Sequence, residues 1–330
     1  KSSFRYPTMT VRFFFTIIFL LLFGKILLAN PQPPPVCVVQ EFRLLEGGQT
    51  TPNTIRFPFR LVGRLIVVRA AINGANGYFI VDTGADKLVL NAKHYTGVTY
   101  NAQQVAVSVT GEIDDLKKTV VDSMNWDQLL FEDFFADVVD LSHIEKNKNI
   151  KIMGLIGNDM LKDYQVLLDY RERQVVLTKT DGQGEPLDKD PYFEPAFDSL
   201  SFDFRNEVIV LTTKVGEYEM DVALDSGAEL NLIDRYIKKG VLKNFTIKKR
   251  VKLTGVENRK IEVVAGEMGN VQIGNVLCPP MRTLLTNLTD MNRSYGTNLK
   301  GLIGYEFLGK RRTIINFKKQ KLYFLAWAKA

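Results

Sequence analysis

Two aspartates sit in matching strings: Tyr78-Phe-Ile-Val-Asp82-Thr-Gly-Ala85 and Asp221-Val-Ala-Leu-Asp225-Ser-Gly-Ala228. They are 143 residues apart. Carboxylates that share a confined site cannot both ionise easily, so one keeps a proton while the other can accept one. That combination suits general acid–base activation of water. A lone Asp-Thr/Ser-Gly is a common turn string, because Asp and Gly both favour turns. The duplication in register is the informative feature.

The elements around the two aspartates repeat as well. At the same offset, the β-rich run Leu65–Ile72 matches Val208–Val215. Each run leads through a turn into an apolar strand that delivers the Asp. Further on, Gly154-Leu-Ile-Gly157 matches Gly301-Leu-Ile-Gly304, and each is followed by a short helix and a closing hairpin. A third match ends in Gly111 and Gly255, the expected tips of two β-hairpins that look alike in length. The expected architecture is mostly β, with two homologous β-rich lobes and short helices. The lobes are expected at 60–180 and 199–330, joined by a linker at 181–198 of Gly-, Pro- and Asp-rich composition.

Each Asp-Thr/Ser-Gly-Ala string follows apolar residues and is paired with a later Leu-Ile-Gly. Together these resemble the aspartic peptidases. Each half resembles a retropepsin, and the whole resembles a fused, pepsin-like two-lobe enzyme over nearly all of 60–330. The resemblance implies a bilobal acid-protease barrel fold, and it implies that Asp82 and Asp225 are the catalytic pair of an endopeptidase. Thr83 and Ser226 would tie the two loops together, and Gly84 and Gly227 would let them pass closely. Leu155, Ile156 and Gly157, with Leu302, Ile303 and Gly304, would support the loops from beneath. Thr110, Gly111, Thr254 and Gly255 become flap candidates over an extended peptide substrate. No cofactor or metal is implied, and activity as a monomer is expected. Two departures stand out. Neither hairpin carries the tyrosine of a pepsin flap. Ala85 and Ala228 replace hydroxyl residues that would donate to the carboxylates and lower their pKa, so a mildly acidic or neutral optimum is expected.

Composition excludes little else. The chain of 330 residues has an ordinary apolar fraction and a formal charge of +6. Basic clusters such as Lys248-Lys249-Arg250 read as solvated strand faces, so no nucleic-acid partner is expected. His94 and His143 lack metal-ligand spacing. No nucleophile elbow or P-loop lysine pattern occurs. Near the start, Arg12, an apolar run from Phe13 to Phe23 and Ala29 before a Pro-rich break read as a secretory signal over 1–29, with an uncleaved membrane anchor as the alternative. Export to the cell envelope or medium follows as an expectation. Residues 30–59 form a lead-in of unassigned role. Export would permit a Cys37–Cys278 disulfide, and two free thiols are the alternative. The rival to an enzyme is a non-catalytic peptide-binding module on the same fold, since a fold alone never establishes activity.

Overall fold

The run Leu65–Ile72 is apolar on both faces except at Arg69, as a strand covered on both sides must be. Its Leu65 and Val67 join one buried cluster with Ile80, Val89 and Leu155. Its Ile66, Val68, Ala70 and Ile72 enter the main core. The computed structural model describes residues 53–101, 106–108, 111–113, 116–188, 196–254 and 260–325. The expected signal segment, most of the lead-in, Cys37, Thr110 and Gly255 lie outside these.

Strand Leu65–Ile72 turns back into Ala75–Val81, and an eight-stranded sheet grows around this pair. Leu65–Ile72 also pairs with Lys117–Trp126, which curls the sheet on itself as a barrel. The second lobe repeats the plan in a ten-stranded sheet built on Val208–Val215 and Tyr218–Leu224. The expected mostly β, two-lobed architecture is the observed one.

In each lobe the Leu-Ile-Gly string is a short buried strand that crosses through the middle of the sheet. Gly154–Ile156 lies parallel to Ala75–Val81 and antiparallel to Val89–Asn91. Gly301–Ile303 lies in the same way between Tyr218–Leu224 and Asn231–Asp234. The crossing needs glycine at its end. A Cβ on Gly157 would stand 2.3 Å from the Lys87 carbonyl oxygen, and one on Gly304 would stand 2.1 Å from that of Ala228.

A third sheet joins the halves. Its six strands run in the order Thr54–Pro58, Gln174–Lys179, Tyr164–Asp169, Arg312–Asn316, Lys321–Leu325, Ala196–Ser201. The seam is antiparallel, with Leu167 opposite Ile314. Three strands come from each half, in mirrored order. Two expectations need amending here. The end of the lead-in, Thr54–Pro58, is a strand of this sheet, and Ile55, Phe57 and Phe59 are buried. The end of the linker, from Ala196, is a strand as well. Both segments alternate weakly, and their partners lie more than a hundred residues away in sequence, so neither shows in local composition.

Candidate active site

Each aspartate is fixed first through its backbone. Val81 ends one delivering strand and Leu224 the other, and both are fully buried. The Asp82 N–H donates to the Ile156 carbonyl at 3.0 Å, and the Asp225 N–H donates to that of Ile303 at 2.9 Å. Leu155, Ile156, Leu302 and Ile303 are buried beneath the loops. The crossing strands therefore hold both aspartate backbones against the cores of their own lobes.

The two loops are then tied to each other. The Thr83 N–H donates to Ser226 Oγ at 3.0 Å, and the Ser226 N–H donates to Thr83 Oγ1 at 2.9 Å. The Ser226 hydroxyl in turn donates a hydrogen bond to the Val81 carbonyl at 2.8 Å. This reciprocal clasp satisfies buried backbone donors across the lobe boundary. Gly84 donates its N–H to Asp82 Oδ1 at 2.9 Å, and Gly227 donates to Asp225 Oδ1 at 2.7 Å. Gly227 cannot be larger: a Cβ there would fall 2.5 Å from the Asp82 carboxyl carbon. The Asp82 side chain thus lies against the backbone of the opposite loop.

Both carboxyls are buried, Asp82 at 0% and Asp225 at 1% exposure. Asp82 Oδ2 is buried with no hydrogen-bond partner among the described residues. Burial pushes the Asp82 carboxyl up to about 6, opposed first by the neighbouring Asp225 carboxyl and then by the Gly84 and Ala85 backbone donors. Burial, reinforced by the Asp82 charge, pushes Asp225 well above the usual carboxylate range. Such a pair holds one proton near neutral pH, and neither role belongs to one residue alone.

Residues 68–160 match a family model described as aspartyl protease. No curated protein sequence matches the chain. Basic 7S globulin from soybean is a similar solved structure, at 9% identity and a TM-score of 0.46, covering 83% of this chain and 94% of that one. An aspartic proteinase from Irpex lacteus is another, at 11% identity and a TM-score of 0.44, covering 83% of this chain and 98% of that one.

Each lobe carries one of the two candidate hairpins. The first hairpin pairs Ala106–Ser108 with Gly111–Ile113, and Ser108 lies opposite Gly111. The second pairs Phe245–Thr254 with Lys260–Met268. The base of the first hairpin belongs to its lobe sheet too: Tyr100–Asn101 pairs with the start of Lys117–Trp126, in near register with the pairing of Ala106–Ser108 and Gly111–Ile113. The backbone of Ala106–Ser108 runs beside helix Thr289–Tyr295 of the other lobe. Thr110 and Gly255 lie outside the described residues. Cys278 is buried and unbonded to any described cysteine.

Several site residues escaped sequence reasoning. Asn158 Nδ2 donates to the Thr83 carbonyl and to the Glu207 carbonyl, both at 2.9 Å, and so braces the Asp82 loop across the lobes. Its place directly after Gly157, where the second copy has Tyr305, was the available signal. Tyr170 is buried with its hydroxyl unpartnered, and its ring meets Phe59 and Tyr305 edge-on. Arg64 Nη1 reaches Glu306 and the Glu229 carbonyl, both at 3.0 Å. Lys148 pairs with Glu229.

Proposed function

We propose that the chain is an aspartic endopeptidase in which Asp82 and Asp225 activate water between them. One observation carries the reading: the reciprocal Thr83–Ser226 clasp sets two buried aspartates, one from each lobe, at a shared site. The ionised carboxylate takes a proton from a bound water. The protonated carboxyl donates to the scissile carbonyl oxygen. The water oxygen attacks the carbonyl carbon, a gem-diol forms, and proton return to nitrogen releases the amine. Burial of the pair raises the electrostatic leverage of each carboxyl on the developing charge. The clasp and the crossing strands supply the rigidity this geometry needs. The hairpin of Ala106–Ser108 and Gly111–Ile113 runs beside helix Thr289–Tyr295 of the opposite lobe and is the working flap in this reading. Its strands would close over an extended peptide and exclude water.

The test is cleavage of a mixed peptide library between pH 3 and 8, with and without a pepstatin-type inhibitor. Inhibitor-sensitive internal cuts are expected. No cleavage anywhere in that range would hand the site to a peptide-binding module instead.

A further inference from the structure

One edge of strand Leu65–Ile72 is only partly used. On that side Arg60–Val62 covers Leu65 to Val67, and Lys117–Trp126 covers only Ala71 and Ile72. Val68, Arg69 and Ala70 have no ladder partner there among the described residues. From Val67 to Ile72 the opposite edge is paired with Ala75–Val81. Backbone groups alternate between the two edges of a strand, so this gap leaves peptide donors and acceptors facing outward.

A cavity of about 830 Å³ opens at the gap. That size lies within the range of ligand sites, roughly 300–1,000 Å³. Its apolar wall includes Phe57 and Trp126, stacked at 4.4 Å between ring centroids. Its rim carries Arg60 and Arg69, both exposed. Their guanidinium carbons stand 5.3 Å and 5.6 Å from the centre of the Tyr78 ring, which they share. Neither arginine has a carboxylate partner among the described residues. Asp127 is the one acid on the rim, so the lining is net positive.

The second lobe leaves Leu211 and Thr212 bare on the equivalent edge, but its charges are paired. By the 143-residue offset, Asp203, Thr212 and Asp221 stand where Arg60, Arg69 and Tyr78 stand. There Arg205 reaches Asp221 at 2.9 Å and also pairs with Asp203, while Thr212 Oγ1 donates to Asp221 at 3.1 Å. The charges satisfy one another internally. Among the described residues, Arg60 and Arg69 of the first lobe stand beside its bare edge without a carboxylate partner, whereas Arg205 of the second lobe is paired.

We infer that this edge, with Arg60 and Arg69, is a second peptide-binding site that takes an extended acidic segment. The bare edge recognises extended backbone by strand addition. The two guanidinium forks, pre-oriented on Tyr78, recognise carboxylates. Tyr78 precedes Asp82 by four residues, which places the site about 13 Å from the dyad along the strand. It therefore acts as an exosite, able to hold one part of a chain while another part lies elsewhere.

The probe is a fluorescent six-residue peptide of alternating Glu and Val, titrated by anisotropy into the full chain carrying Asp82→Asn to prevent cleavage. Saturable binding is expected, weakened at least about tenfold when Glu becomes Gln, and equally in an Arg60→Gln/Arg69→Gln variant of unchanged melting temperature. Amide exchange at residues 68–70 should slow on binding. An N-methylated acidic peptide of the same charge separates strand addition from charge alone. The inference fails if that peptide or inorganic phosphate competes equally well. It also fails if the arginine variant binds undiminished, or if no binding occurs up to about 1 mM. Because binding is read without cleavage, failure here is distinct from failure of the proposed peptidase activity.

Discussion

The two lobes agree closely at the pseudo-two-fold axis and diverge one residue beyond it. Asp82 and Asp225, their glycines and the crossing strands are matched bond for bond. At the next position Asp86 stands against Glu229, and after the crossing strands Asp159 stands against Glu306. In the second lobe three cations surround this acid pair: Arg64, Lys148 and Arg282. In the first lobe the corresponding acids have Lys87, whose Nζ lies 3.3 Å from Asp86. Burial, then the Asp86 charge, pushes Asp159 up to about 7. Symmetry is kept where chemistry needs both copies alike. Beyond the axis, one acid pair has three cations around it and the other has Lys87.

The largest expected effect falls on the axis itself. Asp82→Asn and Asp225→Asn should each lower kcat by about 10³-fold, with unchanged folding by circular dichroism. A variant of either that kept more than a tenth of the activity would break the equivalence of the pair. The pH profile sharpens the same point. With Asp82 raised to about 6 and Asp225 higher, the singly protonated pair prevails only above about pH 6. Activity should fall as pH drops through 6, because both carboxyls become protonated and the base is lost. A peak near pH 2–3 would contradict this.

Next comes the seam. Arg312 Nε meets Asp169 at 2.8 Å, and both are buried. Arg312→Ala leaves a buried carboxylate uncompensated and should cost about 3–5 kcal/mol in urea unfolding. A loss below about 1 kcal/mol would mean that the six-stranded sheet does not depend on this pair.

Lys148→Met should cost roughly 2–4 kcal/mol, since Glu229 is then buried without its cation. Adding Glu229→Gln should recover most of that loss. Additive losses in the double variant would show that the two side chains do not act as a pair.

The smallest effect is a gain. Asp159 titrates near 7 in the fold against an ordinary value of 3.8, so the native state holds a proton that the unfolded chain releases. Its contribution therefore erodes stability as pH rises from about 4 to 7. Asp159→Asn should stabilise by roughly 1–3 kcal/mol at pH 8 and by nothing at pH 4. An equal gain at both values would point to packing rather than charge.

Asp82, Asp225 and the two Leu-Ile-Gly strands were legible because each is a short local string repeated at a nearly constant offset. The clasp was legible only through the family resemblance, since no spacing rule brings Thr83 to Ser226. The strand Thr54–Pro58 was not legible as part of the sheet. Its burial alternates, but its partner Gln174–Lys179 lies far along the chain, and pairing of that kind leaves no local mark. The Arg312–Asp169 pair and the Asn158 brace were hidden for a further reason. Both sit where the copies differ, and comparing the copies draws attention to what they share.

The mirrored six-stranded sheet has a consequence for synthesis. A ribosome finishes the first lobe while Arg312–Asn316 and Lys321–Leu325 are still unmade, so the emerging half holds one aspartate and half of a sheet. The proposed chemistry needs both, and the last hairpin to be translated completes the set. In the proposed reading the chain order delays activity, because the sheet that joins the two halves stays incomplete until the last hairpin is made.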